Sequence, residues 1–166
     1  MKQLYNRYKL KTSIVRLTNG IGLPGKDVDK WYLAVNDFCR TIVREKRIIL
    51  KSNGLPRRDF IAISDICSAI RTVLGADTGF GIYNISSQKS INIRDTAIMV
   101  RDIYQRIAGV KAAIELPTVS REEMDQIKDF IVSSNKLRML GWKPCETIET
   151  IIEKILKYEL KMGENI

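Results

Sequence analysis

A chain of 166 residues with 45% hydrophobic and 28% charged positions can bury one core and has the balance of an ordinary globular domain. No apolar run is long enough for a bilayer span, no signal peptide opens the chain, and three scattered cysteines without a histidine argue against zinc. Lys and Arg total 28 against 19 Asp and Glu, a formal charge of +9 that admits an anionic partner, whether nucleic acid or a diphosphate.

Leu4 to Lys9 reads as the tail of a helix, and Thr12 to Leu17 as a β-branched strand apolar on both faces, the pattern of a parallel sheet covered by helices. The strand runs out at Thr18-Asn19-Gly20. Glycines 20, 22 and 25 with Pro24 then make a loop in which backbone can approach a ligand, at the strand end where open α/β sheets bind theirs.

The spacing of Trp31, Val35, Phe38, Cys39 and Ile42 predicts a helix over 29–44, and Ile48 to Leu50 a short strand closed by the Asn53-Gly54 turn. Next comes Gly54 to Ile70, GLPRRDFIAISDICSAI. Two arginines precede a strand at Phe60 to Ile63, and Ser64 or Asp65 is placed to cap a helix burying Ile66, Ala69, Ile70 and Val73. A guanidinium before a strand and a helix start after it make a place to hold an anion. Cys39 and Cys67, both on predicted helices, read as small core residues, and the cysteine pattern fits a reducing cytoplasm.

Phe80 to Ile85 is a further strand. Asn92 caps a helix with Asp95 at the third position, and Ile93, Ala97, Val100, Tyr104 and Ile107 form its buried face before Gly109 ends it. Lys111 to Leu116 is a short strand, and Leu137 to Gly141 a short helix. Thr147 or Glu146 starts the last helix, whose buried face carries Ile148, Ile151, Ile152, Ile155 and Leu156.

Four segments in order carry a family likeness: Arg16-Leu-Thr-Asn19 with the glycines and Pro24 after it, the Arg57-Arg58-Asp59 segment, Tyr83-Asn84-Ile85-Ser86, and Leu140-Gly141-Trp142-Lys143-Pro144. Together, from Leu10 to Tyr158, they resemble the carboxy-terminal half of extended short-chain dehydrogenase/reductases, the NAD-dependent nucleotide-sugar epimerases and dehydratases. The resemblance implies a partial Rossmann-like α/β fold lacking the N-terminal dinucleotide-binding half. Residues 1–25 would be a remnant of the Rossmann sheet region and 26–166 a small mixed α/β substrate domain.

It also implies roles. Asn19, Arg58 and Asn84 would grip the nucleotide diphosphate, with Arg58 as the bidentate cation and Arg57 a rim residue. Asp59 would orient Arg58 or fix the turn, and Thr18 would bind the coenzyme. The family's second diphosphate cation is open between Arg121 and Lys128, since Val132-Ser133-Ser134-Asn135-Lys136 has serine where the family has aspartate. The family's glycine-rich coenzyme turn is missing. Tyr5 to Lys9 spells Y-x-x-x-K, but Lys9 lies ten residues before Asn19, too near for the family's catalytic pair.

The resemblance therefore implies a chain that begins after the active-site lysine, with no turnover alone and NAD or NADP bound only by the intact parent. Partners would be a nucleotide-diphosphate sugar and either the missing half or a second copy, not a membrane. Two alternatives stand beside it: a catalytically dead nucleotide-sugar-binding or regulatory module, and a basic nucleic-acid-binding domain. Against the last, the basic residues are scattered and no helix-turn-helix, zinc-finger or RNP pattern is present.

Overall fold

The computed structural model describes residues 2–23, 33–125, 128 and 130–163. In chain order it runs α1 (Lys2–Tyr8), β1 (Thr12–Leu17), β2 (Asn19–Ile21), α2 (Ala34–Glu45), β3 (Arg47–Ile49), β4 (Arg57–Arg58), β5 (Phe60–Ala62) and α3 (Ile63–Gly75). It continues with β6 (Phe80–Ile85), β7 (Ile91–Asn92), α4 (Ile93–Ala108), β8 (Ala113–Glu115), α5 (Arg121–Asp125), α6 (Asn135–Arg138) and α7 (Ile148–Gly163). The result is a small mixed α/β fold.

β1 pairs in parallel with β6, Thr12 opposite Phe80 through Leu17 opposite Ile85, so the apolar β1 is a parallel strand as its sequence implies. β2 runs parallel to β5 and β3 parallel to β8, while β4 and β7 pair antiparallel with Arg57 opposite Asn92. Among the described residues β1 has no second strand neighbour, and Leu17 at its end is exposed.

Two apolar clusters hold the elements. In the larger, α2, α4 and α7 converge through Val35, Ile42, Val100, Tyr104, Ile152 and Leu156, all fully or almost fully buried. The smaller gathers Ile66, Ala69 and Val73 of α3, Tyr83 and Ile85 of β6, Leu137 and Trp142, with Val15 of β1 against it. Burying a large apolar side chain contributes about 1.5–3 kcal/mol, so these layers supply most of the gross stabilisation.

The ends of α4 and the start of α7 follow their sequences. Asn92 accepts a hydrogen bond from the Asp95 N–H at 2.6 Å, and Gly109 ends α4 with φ 66°. Thr147 accepts from the Thr150 N–H just before α7. Gly54, with φ 70°, is required: a Cβ there would lie 2.4 Å from Leu50 Cδ2, and its carbonyl accepts the Arg94 N–H at 2.9 Å.

Three expectations are corrected. α3 begins at Ile63 with Ala62 in the cap position, so neither Ser64 nor Asp65 caps it. Asp65 is buried and its carboxylate instead accepts the N–H groups of Cys145 and Glu146 at 2.9 and 3.0 Å, fastening the loop before α7 to α3. Cys67 is exposed rather than core, because it shares the outer face of α3 with Ile63, Ile70 and Leu74, opposite Ile66, Ala69 and Val73. Ile70, expected inside, lies at the edge of that outer face. The helix expected from residue 29 is described from Ala34, and Pro24, Gly25 and Trp31 lie outside the described residues.

One buried acid faces two cations. Glu159 of α7 packs near Arg40 and Arg44 of α2, and burial raises its carboxyl above the ordinary value despite both guanidinium groups. Burial also pushes the Cys39 thiol far up, with the Glu159 charge adding to it, so this cysteine stays protonated and inert. Among the described residues no helix is long and apolar enough to cross a membrane.

Candidate functional site

The site begins where β1 gives way to β2. Asn19 donates its backbone N–H and its side-chain Nδ2 to the same carbonyl, that of Asp59, both at 3.0 Å. This places Asn19 beside the β4–β5 junction and leaves the second Nδ2 hydrogen to donate elsewhere. Arg58 is exposed. It donates one Nη1–H to the Arg57 carbonyl at 2.9 Å, and the rest of its fork has no partner among the described residues.

Asn19 and Arg58 line one shallow hollow of about 100 Å³, closed by Phe60 of β5, Ile93 of α4 and the start of α2 at Leu33, Ala34 and Val35. The volume is roughly that of three liquid waters, room for phosphate but not for a whole nucleotide. Leu33 occupies the cap position of α2 and offers no side-chain hydrogen bond, so among the described residues no N-cap side chain closes that helix start at the hollow's wall. An amide donor, a guanidinium and the positive end of a helix thus meet around a space of anion size. The sequence reading missed this helix start; its signal was the lack of any Ser, Thr, Asp or Asn at position 33.

Asp59 holds the hollow's frame. It is fully buried and takes four hydrogen bonds: from the Thr18 hydroxyl, the Ser87 N–H and hydroxyl, and the Gln88 N–H, at 2.9 to 3.1 Å. None comes from Arg58, so Asp59 fixes the 87–88 turn and does not orient the arginine. Arg57, expected at the rim, is half-buried and fastens β4 to the 87–90 loop through Ser90 Oγ at 2.9 Å and the Ser90 carbonyl at 2.6 Å.

The other anticipated residues lie elsewhere. Asn84 donates to the Ser133 carbonyl at 3.1 Å and is not on the hollow's wall. Arg121 opens α5 and is exposed, as is Lys128, and neither reaches the hollow. The Thr18 hydroxyl is occupied by Asp59 at 3.0 Å and lies 3.5 Å from the Ile85 carbonyl.

Gly20 and Gly22 pack tightly on α3: a Cβ on Gly20 would sit 3.0 Å from Ile66 Cδ1 and one on Gly22 would sit 3.1 Å from Ile63 Cγ1, and Gly20 also lines the hollow. Thr18, expected to bind the coenzyme, has its hydroxyl engaged by Asp59. Tyr5 and Lys9 are also apart from the hollow: the Tyr5 ring packs on Gly79 at the far end of the β1–β6 pair, with Lys9 5.8 Å from its centre.

A family model described as NAD dependent epimerase/dehydratase family matches residues 1–86. The chain is 24% identical over 172 residues to mouse dTDP-D-glucose 4,6-dehydratase, covering 99% of this chain and 45% of that protein. It is 29% identical over 144 residues to dTDP-L-rhamnose 4-epimerase of Burkholderia thailandensis, covering 85% and 38%. In structure it resembles UDP-glucose 4-epimerase of Thermotoga maritima, crystallised with UDP-glucose, at a TM-score of 0.74 and 18% identity over 98% of this chain and 50% of that one. The chain therefore spans half or less of the length of each of these proteins.

Proposed function

The chain belongs to the NAD dependent epimerase/dehydratase family, and we propose that it is the part of such a protein that grips the diphosphate of a nucleotide sugar. The observation that carries this is the shared hollow, in which Asn19, the free fork of Arg58 and the uncapped start of α2 converge. Arg58 supplies a bidentate charge-assisted grip, Asn19 one amide donor, and the helix start further N–H groups. Gripping the diphosphate fixes the sugar relative to a reacting centre and puts remote binding energy to use there.

In this reading residues 1–25 continue the dinucleotide-binding sheet of a longer protein and 26–166 form the substrate portion. The coenzyme, NAD or NADP, belongs to that protein's other half, and this chain alone turns nothing over. Support comes from the Thr18 hydroxyl being engaged and from the relatives being about twice as long. Asn84, Arg121 and Lys128 would act, if they reach the ligand, on parts of it beyond the hollow. A cytoplasmic home is part of the same reading, supported by three free cysteines.

Thermal-shift titration with UDP-glucose and dTDP-glucose tests it. Saturable stabilisation is expected, lost on Arg58→Ala and kept on Arg57→Lys. Stabilisation by oligonucleotides that falls steeply with salt and ignores Arg58→Ala would replace this reading with nucleic-acid binding.

A further inference from the structure

We propose a second ligand site, a cavity of about 470 Å³ that shares Phe60 with the Asn19–Arg58 hollow and takes a small amphipathic anion: one carboxylate, phosphate or sulfonate on an apolar body. The volume is that of a small-molecule site. Its lining is mainly apolar, from Phe60, Ile91, Met99, Pro144 and Ile148.

The charge at its mouth sets the ligand's sign. Lys89, Arg138 and Lys143 all line the cavity, all are exposed, and none has a carboxylate partner among the described residues. Two acids also line it. Glu146 is neutralised by Lys154, whose hydrogen bond holds the Glu146 carboxyl below its usual range, which leaves Glu149 against three cations. Three cations without a carboxylate partner, from three separate loops and helices, around a lining that is apolar over most of its area, complement an anion with an apolar body and repel a cation.

The cavity is built rather than incidental. Asp65 fixes its 145–146 wall through two backbone N–H groups, and Arg57 fixes its 89–90 wall through Ser90. Phe60 lines both this cavity and the hollow.

The cavity also contains its own reporter. Cys145 lines it and is exposed, whereas Cys67 is exposed on the outer face of α3 away from it. The test titrates the chain with 8-anilinonaphthalene-1-sulfonate and with the uncharged N-phenyl-1-naphthylamine, and follows the reaction rates of both cysteines with a disulfide reagent. Expected is saturable binding of the sulfonate that slows Cys145 and leaves Cys67 unchanged. Arg138→Glu with Lys143→Glu should weaken sulfonate binding by about tenfold or more while sparing the neutral probe, and Ile148→Trp should block both. Arg58→Ala should leave the sulfonate affinity unchanged.

Equal protection of Cys67 and Cys145, or protection of Cys67 alone, would mean binding to exposed apolar surface and would overturn the proposal. So would no protection of Cys145 in the native chain, or an affinity indifferent to charge reversal. The native-chain protection measurement decides the matter even where a variant does not fold.

Discussion

Arg57 and Arg58 are adjacent, equally charged and chemically identical, yet the fold gives them opposite work. Arg57 is used up on Ser90, and Arg58 keeps most of its donors for a ligand. The contrast yields a prediction of sign: Arg57→Ala should cost stability, about 1–3 kcal/mol, because the Ser90 carbonyl and hydroxyl lose a charged donor. Arg58→Ala should leave stability within about 0.5 kcal/mol, the usual range for a surface change. Urea denaturation of both variants measures this, and equal losses would contradict it.

Asp59 gives a larger effect. Asp59→Ala removes the acceptor of four donors at a fully buried position and should destabilise by about 3 kcal/mol or more. A loss below about 1 kcal/mol in the same assay would refute its role in fixing the 87–88 turn.

At this scale the sequence was only half legible. The sequence placed Arg57 and Arg58 just before a strand, but which of them faces Ser90 depends on the β4–β7 pairing, a contact 33 residues away in the chain. Asp59 looked like a partner for its neighbour because the nearest opposite charge in sequence is the natural guess. Its true partners come from positions 18, 87 and 88.

Elements were easier to read where the apolar period was unbroken. α4 and α7 appear with the buried faces their spacing implies, and Asn92 caps α4 as its position suggests. Asn92→Ala should therefore cost about 1 kcal/mol, read as a drop in melting temperature. α3 was misread at its start because a buried aspartate serving a distant loop looks the same in sequence as an N-cap. The start of α2 went unnoticed as a ligand wall because an uncapped helix has no positive signature, only a missing residue type.

The α2–α7 packing carries a pH dependence. Glu159 has its carboxyl raised in the folded chain, so folding binds its proton more tightly than the unfolded chain does. Its contribution is therefore fully favourable below the unfolded value near 4.5 and is lost as pH rises through the higher folded value. Glu159→Gln should melt higher than the native chain at pH 7, with the difference shrinking toward pH 4. A variant that melts lower at pH 7 would show that the Arg40 and Arg44 charges outweigh burial.

For the whole molecule, the α/β class and the parallel character of β1 were readable from a strand apolar on both faces. The pairing of β1 with β6 across more than sixty residues was not, since no local pattern encodes a crossover. β1 keeps one edge without a strand partner among the described residues, and Leu17 stands exposed at its end. Such an edge invites pairing with another chain. Sedimentation of this chain should show association that grows with concentration, and Leu17→Lys should reduce it; a strictly monomeric native chain would contradict that expectation.

The account rests on the hollow shared by Asn19 and Arg58, and calorimetric titration with UDP and with uridine addresses it most directly. UDP should bind saturably and uridine at least about tenfold more weakly, with Arg58→Lys removing most of the difference because an ammonium cannot reproduce the fork. Equal affinity for the two ligands, or a preference for UDP that survives in Arg58→Ala, would contradict it.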